Sequence, residues 1–439
     1  MNIYDRYSAL NASLAKDKTL YLKNEKDGLC VSEFKGPDCR LLCYPRIGIY
    51  AGTGTSHSWL WFVDLFDRMG FYDVVFLDEH AVQDGGLDGL DVLAVSGGDT
   101  FAVAEALGPA GSKPLRSFVE HGGLYIGSCA GAYLPMNSSK EHLNLFNFVN
   151  VKITNLSKIL PKAEKMPHKF CTSYGCDFIF HPVREEVRLR SNGITPFSGV
   201  PLLPAPMYGG PGMIAPGNSN ILAYYEAFTD KTSFLVNKEL ASSTLLGRAA
   251  VVRIPMGKGC FYLFGPHFEH PHFPEANKLV ADAIYWDMRQ TNEKRSAFSR
   301  DEIIITGTEK KTLVRDIKRE LSNSRIVAAG LELMPVQWLI GAKIYEPEKI
   351  RVFIESMWNR IKFLEKCSQI RTGHGIPGKL IEYALETTSL IRKMKNHVDR
   401  KSDTIYIAKE LIDLLHKFSM AFFSLYFRTI SNEILERKK

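Results

Sequence analysis

A cysteine in a short glycine-flanked segment is the residue whose surroundings most favour chemistry. Cys129 lies in the segment Gly127-Ser128-Cys129-Ala130-Gly131, which follows an apolar run and precedes small residues able to begin a helix. Glycines two residues to either side allow the tight turn of a nucleophile elbow, which exposes the central side chain above a sheet. The positive end of the following helix favours a thiolate. We therefore predict that Cys129 is a nucleophile; the alternative is a small buried cysteine in a chance match.

A cysteine nucleophile needs a base, and the base needs a group that orients it. His267 and Glu269 follow the apolar run Gly259–Phe264, and a spacing of two residues in extended chain places both side chains on one side. We predict His267 as the general base and Glu269 as its orienting carboxylate. Two alternatives stay open, in which these residues form a zinc site or a structural cluster with His270 and His272. No second cluster of ligand residues is found in the sequence, so we predict no metal site.

Backbone groups that could stabilise an oxyanion are predicted from a Gly-Gly turn. Ser96-Gly97-Gly98 ends the third apolar run, next to the predicted end of the fourth. Such a turn leaves its N–H groups unobstructed, so we predict an oxyanion hole formed by the N–H groups of Gly98 and Ala130. A further glycine-rich segment, residues 52–56, lacks the lysine of a phosphate-binding loop. We interpret it as a tight turn facing the same cleft rather than a phosphate site.

These residues need a scaffold, and the hydrophobic pattern predicts one. Four apolar runs alternate with helix-like stretches, which is typical of an α/β fold with a doubly wound, mostly parallel sheet. The runs are Ile47–Gly52, Asp73–Leu77, Asp91–Gly98 and Gly123–Gly127. In such a sheet the functional groups collect at the carboxyl ends of the strands. A hairpin is predicted within Ala249–Phe264, and amphipathic periodicity from about residue 300 predicts an all-α helical bundle.

The pattern divides the chain into an N-terminal arm or hairpin (1–45), an α/β domain (46–295) and a helical domain (300–439). Of the 439 residues, 45% are hydrophobic and 23% charged, which excludes disorder as the main state. Eight cysteines without a CxxC pair exclude a disulfide scaffold or a zinc ribbon. We expect ordinary thiols at Cys30, Cys39, Cys43, Cys171 and Cys176. The polar start and the absence of a long apolar stretch predict a soluble, cytoplasmic protein.

Positive charge is concentrated in the last third of the chain. Residues 300–439 contain 26 Lys and Arg against 18 Asp and Glu, although the net charge of the whole protein is only +7. The excess suggests a separate module that meets something acidic. Because basic and acidic residues interleave along the sequence, we favour a solvated helical surface and expect neither nucleic acid nor membrane as a partner. An apolar stripe that includes Phe418 and Phe422 fits a bundle core or a face for a protein partner or a second copy.

Three motifs, taken in their order along the chain, resemble the class I glutamine amidotransferase superfamily: Ser96–Gly98, Gly127–Tyr133 and Gly265–Glu269. Over residues 45–290 the sequence is most similar to the amidotransferase-like N-terminal domain of eukaryotic-type biotin-protein ligases, a likeness to which Met207–Gly212 and Ile221–Glu226 also contribute. The resemblance implies a flavodoxin-like sheet and a Cys-His-Glu triad. It also implies thioester chemistry, in which a carboxamide is attacked, ammonia is released and the thioester is hydrolysed.

Tyr133 departs from the pattern of the glutamine-hydrolysing members, which usually have a glutamine at this position that helps to hold the substrate. We therefore leave the carboxamide substrate unspecified, with candidate substrate contacts at Gly97, Tyr133, Tyr208, Gly209 and Gly210. The adenylate-binding loop of a biotin ligase is not found in this sequence, so we expect no biotin transfer by this chain. Two functions stay open. One is a cysteine hydrolase or amidotransferase-like enzyme that acts on a small-molecule amide without a cofactor; the other is a non-catalytic binding or regulatory module.

Overall fold

The structure is a computed structural model that describes residues 2–25, 28–37, 39–154, 182–199, 201–288, 302–340 and 343–436. The chain divides into two compact units, residues 1–71 with 77–293 and residues 72–76 with 294–439. Cys171, Cys176 and the predicted boundary between residues 295 and 300 lie outside the described residues. Among the described helices, none combines the length and the apolarity that a membrane crossing needs.

The elements up to residue 288 are mainly strands with helices between them. The helices are α1 (Ile3–Ala15), α2 (Trp59–Met69), α3 (Glu79–Gln83), α4 (Thr100–Glu120), α5 (Ala130–Tyr133), α6 (Lys238–Leu245) and α7 (Pro274–Asp287). The strands are β1 (Tyr21–Glu25), β2 (Gly28–Ser32), β3 (Arg40–Leu41), β4 (Ile47–Tyr50), β5 (Val74–Leu77), β6 (Val92–Val95), β7 (Leu124–Ser128), β8 (Lys152–Ile153), β9 (Val183–Ser191), β10 (Leu202–Met207), β11 (Met213–Ile214), β12 (Ile221–Phe228), β13 (Ser233–Phe234), β14 (Ala249–Met256) and β15 (Gly259–Phe264).

A mixed sheet forms the centre of this part of the chain, with the strand order β10-β9-β12-β14-β15-β7-β6-β4-β5. The strands β15, β7, β6 and β4 run parallel to one another, whereas β14, β12, β9 and β10 pair antiparallel. The predicted α/β class and the hairpin within Ala249–Phe264 are confirmed. The prediction of a mostly parallel sheet is wrong, because β10, β9, β12 and β14 pair antiparallel, an arrangement that needs no crossover connection: a two-residue turn joins β14 to β15.

The parallel strands bring the predicted site residues to one edge of the sheet. In the register of β7, Gly127 is paired with Val95 of β6 on one side and with Leu263 of β15 on the other. All five residues of β7 are buried. The segments that leave β6, β7 and β15 at their carboxyl ends therefore start side by side, as expected for a parallel arrangement.

Residues 1–45 contain a helix that the prediction of an arm or hairpin omits. The hydroxyl of Tyr4 on α1 donates a hydrogen bond to Asn277 Oδ1 (2.7 Å), and the buried Asn11 donates from Nδ2 to the carbonyl of Met69 (2.8 Å). Because this helix buries tyrosines and an asparagine rather than an aliphatic stripe, apolar periodicity does not reveal it. The hairpin itself is present, as β1 paired antiparallel with β2.

The second unit is helical, as predicted, but not entirely so. Its helices are α8 (Gly307–Glu332), α9 (Pro347–Lys366), α10 (Ile376–Asp399) and α11 (Ile405–Glu436), and its strands are β16 (Glu302–Ile305), β17 (Trp338–Ile340), β18 (Lys343–Tyr345) and β19 (Ile370–Gly373). The pairs β16–β19 and β17–β18 correct the all-α expectation, because short segments at the helix ends satisfy their backbone groups by pairing. Phe418 and Phe422 are buried, so they are core residues. The predicted protein partner or second copy stays a prediction.

We predict that Asn11→Ala lowers the free energy of unfolding by about 1–3 kcal/mol, because it leaves the buried carbonyl of Met69 without its donor. Chemical denaturation of the full chain measures the change. Lys16→Ala, at an exposed position where the same helix ends, is the control and should alter stability by less than about 0.5 kcal/mol. Equal effects of the two substitutions would contradict the tight attachment of α1.

Candidate functional site

Cys129 occupies a strained turn between β7 and α5. Its backbone angles are φ 51° and ψ −110°, a conformation that residues other than glycine rarely adopt. The Cys129 N–H donates to the carbonyl of Phe264 (3.1 Å), and its own carbonyl accepts from the N–H of Tyr133 (3.0 Å). A Cβ atom on Gly131 would lie 2.1 Å from the carbonyl oxygen of Val95. The flanking glycine is therefore required by the close approach of β6, as the elbow pattern predicts.

His267 and Glu269 form a buried pair just beyond β15. Their exposed fractions are 2% and 0%, and His267 Nδ1 lies 2.7 Å from Glu269 Oε1. The hydroxyl of Ser96 donates to the same carboxylate oxygen at 2.8 Å. Glu269 Oε2 is buried without a hydrogen-bond partner among the described residues. Since an isolated buried carboxylate is strongly disfavoured, the imidazole and the hydroxyl are what keep this charge in place.

The pKa of His267 is set by its neighbours. Burial alone lowers the pKa of the imidazole, but the negative charge of Glu269 and the hydrogen bonds with Cys129 and Glu269 outweigh it, so that the pKa of His267 rises to about 9. Burial opposes ionisation of Glu269, yet His267 holds the pKa of its carboxyl below the usual value. Because Nδ1 is bonded to Glu269, the Nε2 nitrogen is the one left to face the Cys129 thiol.

The Gly-Gly turn after β6 lies beside the elbow. The N–H of Gly131 donates to the carbonyl of Ser96 (3.1 Å), which joins the two turns. The N–H groups of Gly98 and Ala130 donate to no backbone acceptor among the described residues. The two N–H groups predicted for an oxyanion hole therefore have no role in the backbone hydrogen bonding of the described residues.

Gly97 is required by the position of the imidazole. A Cβ atom at Gly97 would lie 2.7 Å from Cε1 and 3.1 Å from Nε2 of His267. Both distances are too short for a carbon atom and a packed ring. Gly97 therefore acts on the site by leaving room for His267, in addition to its predicted place near a substrate.

The other predicted substrate contacts surround the same residues. Tyr133 is buried, with 8% of its surface exposed. It lies close enough to Tyr225 to act on it: burial raises the pKa of Tyr225, and the charges of Tyr133 and Cys129 raise it further. Gly209 and Gly210 are buried in the loop after β10, where Gly210 packs directly on the backbone of Gly265. That contact places the loop beside the segment that carries His267.

An aromatic wall lies next to the histidine; it includes Tyr208, which was predicted as a substrate contact, whereas Trp61 was not predicted. It consists of Trp61, Tyr208 and His270, all partly exposed. Trp61 lies edge-on to His267 with 5.1 Å between ring centroids and 4.5 Å from the ring of His270, which stacks on Tyr208 at 5.7 Å. Burial lowers the pKa of His270 to about 4, so the wall is uncharged at neutral pH. The one sequence signal was that Trp61 falls outside the apolar face of α2.

The glycine-rich loop after β4 contacts a carboxylate rather than offering its N–H groups to a ligand. Thr53 donates from its N–H to Glu79 Oε2 (3.0 Å) and from its hydroxyl to Oε1 (2.6 Å). The Ser56 N–H donates to the Gly97 carbonyl at 3.0 Å, which places this loop beside the site. Among the described residues, no three His, Cys, Asp or Glu side chains are grouped so that they could hold a metal ion.

A family model for the N-terminal domain of biotin-protein ligases matches residues 46–142. This segment contains β4, β6, β7, the Gly-Gly turn and the cysteine elbow, so the resemblance seen in the motifs is confirmed there. The match covers less than a quarter of the chain. A comparison with curated proteins finds no match.

Solved structures of similar proteins include a glutamine amidotransferase with 17% identity, which covers 54% of this chain and 98% of the other, with a TM-score of 0.34. A Thermoplasma acidophilum protein assigned to the GMP synthases has 14% identity, coverages of 55% and 92%, and a TM-score of 0.32. A β-galactosidase from Bacillus circulans has 10% identity, coverages of 55% and 31%, and a TM-score of 0.28. At these values the likeness assigns no activity to the chain.

We predict a pH-dependent contribution of the buried pair to stability. Because the pKa of His267 is raised from 6.5 to about 9, its stabilising effect is complete below pH 6.5 and is lost as the pH rises through 9. Because the pKa of Glu269 is lowered, its effect is present above the usual value of 4.5 and is lost at more acidic pH. The stability difference between wild type and His267→Gln should therefore be largest between pH 4.5 and 6.5.

Denaturation curves recorded from pH 4 to 10 measure this difference, which should shrink by at most about 3 kcal/mol between pH 6.5 and 9. Leu202→Gln is the control, since Leu202 is exposed and has no ionisable group, so it should give a difference that does not vary in that window. A flat profile for His267→Gln would refute the raised pKa of His267.

Proposed function

We propose that this chain is a cysteine-dependent hydrolase or amidotransferase-like enzyme that attacks a carboxamide. The observation that carries the proposal is the strained Cys129 turn, which lies beside the buried His267–Glu269 pair. A backbone held at an unfavourable φ next to an oriented imidazole is expensive to maintain in a purely structural role. We propose further that the parallel half of the sheet, β15, β7, β6 and β4, is its doubly wound, flavodoxin-like part.

The first half of the reaction forms a thioester. Because its pKa is raised to about 9, His267 holds the proton taken from the Cys129 thiol near neutral pH, and the reacting form is a thiolate beside an imidazolium. The sulfur then attacks the carbonyl carbon of the carboxamide, and the carbonyl electron pair moves to the oxygen. The N–H groups of Gly98 and Ala130 are the proposed donors to this oxyanion. The imidazolium next gives its proton to the amide nitrogen, the C–N bond breaks and ammonia leaves.

The second half releases the acyl group. His267 takes a proton from a water molecule, which attacks the thioester carbon and regenerates an oxyanion at the same position. The C–S bond then breaks, a carboxylic acid leaves, and the thiolate and the imidazolium of the starting state are restored. In both halves Glu269 keeps Nδ1 protonated and so orients Nε2 towards the sulfur. A cysteine that must remain reduced fits the cytoplasm, the compartment predicted from the sequence.

The substrate proposed here is a small-molecule carboxamide with an apolar or aromatic part, glutamine being one case to test. The uncharged wall of Trp61, Tyr208 and His270 supports a ring or hydrocarbon next to the reacting group. Tyr133, in place of the glutamine usual in glutamine-hydrolysing relatives, agrees with this preference. Gly97, Gly209 and Gly210 would contribute by shape, since they are buried backbone positions next to His267 and Gly265.

A non-catalytic binding module is the second candidate. It is favoured by the family match to a ligase N-terminal domain and by the 3% exposure of Cys129, which restricts access to the sulfur. In that case the same cleft recognises an amide without turnover. The two candidates differ in whether the thiol reacts faster than an ordinary cysteine.

We predict that chloroacetamide, a small carboxamide-bearing electrophile, alkylates Cys129 selectively. Intact mass and peptide mapping measure the adduct. His267→Ala should slow alkylation of Cys129 by about 10²-fold or more, because it removes the base. Cys260 is the internal control: it is also buried, and burial raises the pKa of its thiol, so it should stay unmodified. Equal labelling of Cys129 in wild type and His267→Ala would favour the binding module.

Turnover is tested with a panel of primary carboxamides that includes glutamine and aromatic amides, with release of ammonia as the readout. Cys129→Ala should abolish release while the thermal unfolding midpoint stays within a few degrees of wild type. Loss of activity together with unfolding would be uninformative for that variant, so Cys129→Ser is assayed beside it. Ammonia release by Cys129→Ala at the wild-type rate would exclude the proposed reaction.

A further variant tests the fit of the imidazole. Gly97→Ala should slow alkylation of Cys129 and any turnover by about 10²-fold, because the new methyl group overlaps His267 and displaces it. Gly378→Ala adds the same atom at a position with no neighbour within 4 Å and should leave both rates unchanged. Normal reactivity of Gly97→Ala would show that the position of His267 does not limit the thiol.

A further inference from the structure

A second cleft lies in the helical unit, between α8 and α9, with a volume of about 530 Å³. Five cationic side chains line it: Lys310, Lys311, Arg315, Lys318 and Arg319. The lining contains one carboxylate, Glu365. The side chains that line the cleft therefore carry a net positive charge. The chemistry of the cysteine site does not involve this cleft.

The positive charges of the cleft are only partly neutralised. Lys318 Nζ lies 2.6 Å from Glu365 Oε1, and Arg319 pairs with Asp316 and with Glu320. The exposed Lys311 forms no ion pair among the described residues. Arg315 contacts only the neighbouring Asp316, at 3.2 Å, in the described part of the chain. Exposed pairs of this kind are weak, so both cations stay available to an anion.

One cation of the cleft is fixed by burial. Lys310 is 7% exposed, and its Nζ donates to the backbone carbonyls of Glu365 (2.9 Å) and Cys367. Its charge cannot swing away into solvent as those of the exposed lysines can. The N-terminus of α8, three residues earlier at Gly307, adds partial positive charge to the same end. This end of the cleft therefore contains a cation whose position is fixed.

The indole ring of Trp358 lies at the other end of the cleft. Trp358 is partly exposed, and the guanidinium of Arg325 lies 4.5 Å from its ring centroid, while Lys362 Nζ lies at 5.8 Å. Ser322 is the polar neighbour in the lining. From Lys311 to Ser322 the helix rises by about 16 Å, at 1.5 Å per residue. Cations at one end and an indole at the other fit a ligand that carries both an anionic chain and a planar ring.

We propose that this cleft binds a nucleoside polyphosphate, with the phosphates on Lys311 and Arg315 and the base against Trp358. A volume of about 530 Å³ lies within the range typical of small-molecule sites, which favours a single nucleotide over a nucleic-acid strand. Ammonium and guanidinium groups are the usual protein partners of phosphates, and indole stacks on bases and cations. The proposal is independent of the chemistry proposed for Cys129.

The test is a titration of the full chain with ATP, with inorganic tripolyphosphate and adenosine as separate ligands, measured by calorimetry. ATP should bind more tightly than tripolyphosphate, and adenosine weakest of the three. Lys311→Gln combined with Arg315→Gln should weaken ATP binding at least tenfold, since two charge-assisted contacts are lost. Trp358→Leu should weaken ATP binding but leave that of tripolyphosphate unchanged.

The matched control removes two positive charges elsewhere in the same unit. Lys395 is partly exposed and Lys417 is exposed, and they pair with Asp399 and Asp413, so Lys395→Gln with Lys417→Gln should bind ATP as wild type does. If both double variants weakened ATP binding equally, ATP would be attracted by the net charge alone, and the proposed site would be wrong. Failure of the folded wild type to bind millimolar ATP would also overturn it, as would binding of a single-stranded RNA in the absence of ATP binding.

Discussion

The buried carboxylate of Glu269 is the charge around which the cysteine site is arranged. A fully buried carboxylate is stable only when charge and hydrogen bonds replace its lost hydration, and here His267 at 2.7 Å and Ser96 at 2.8 Å do so. The same contact raises the pKa of His267 despite burial. The stabilisation of the carboxylate and the basicity of the imidazole are thus two consequences of one interaction. Removing either partner leaves the other as an isolated polar group in an apolar environment.

The sheet supplies the second constraint, because three separate chain segments must meet within hydrogen-bond distance. Parallel alignment of β6, β7 and β15 achieves this with no long connection at the site itself: the Gly-Gly turn, Cys129 and His267 each follow the end of a strand. The antiparallel half of the sheet contributes differently. Its loop after β10 packs Gly210 on Gly265, and Tyr208 completes the aromatic wall. One half of the sheet positions the reacting groups, and the other shapes the space beside them.

The sequence predicted the groups that depend on local spacing. The glycines around Cys129 and the two-residue step from His267 to Glu269 are local features. The structure places the side chains of Cys129, His267 and Glu269 next to one another. Trp61 and the Ser96 hydroxyl were missed as site groups because their contacts are made across the fold and leave no spacing in the chain. The α1 helix was missed because its buried face contains two tyrosines and an asparagine and only one aliphatic residue, Leu14. In the antiparallel half of the sheet, the β14–β15 hairpin was predicted from local alternation, but the pairings among β14, β12, β9 and β10 are not specified by any local pattern.

In the helical unit, the charge pattern along the sequence concealed a cluster of positive charge on one helix face. Counted along the sequence, the basic and acidic residues of α8 interleave, which predicts a solvated surface. A helix turns by 100° per residue, so Lys311, Arg315 and Lys318, at steps of four and three, lie on one face. The packing of α9 then closes a cleft on that face with Trp358 at its end. Interleaving in sequence therefore does not imply mixing in space, and charge patterns on helices are informative only when they are projected onto the helical period.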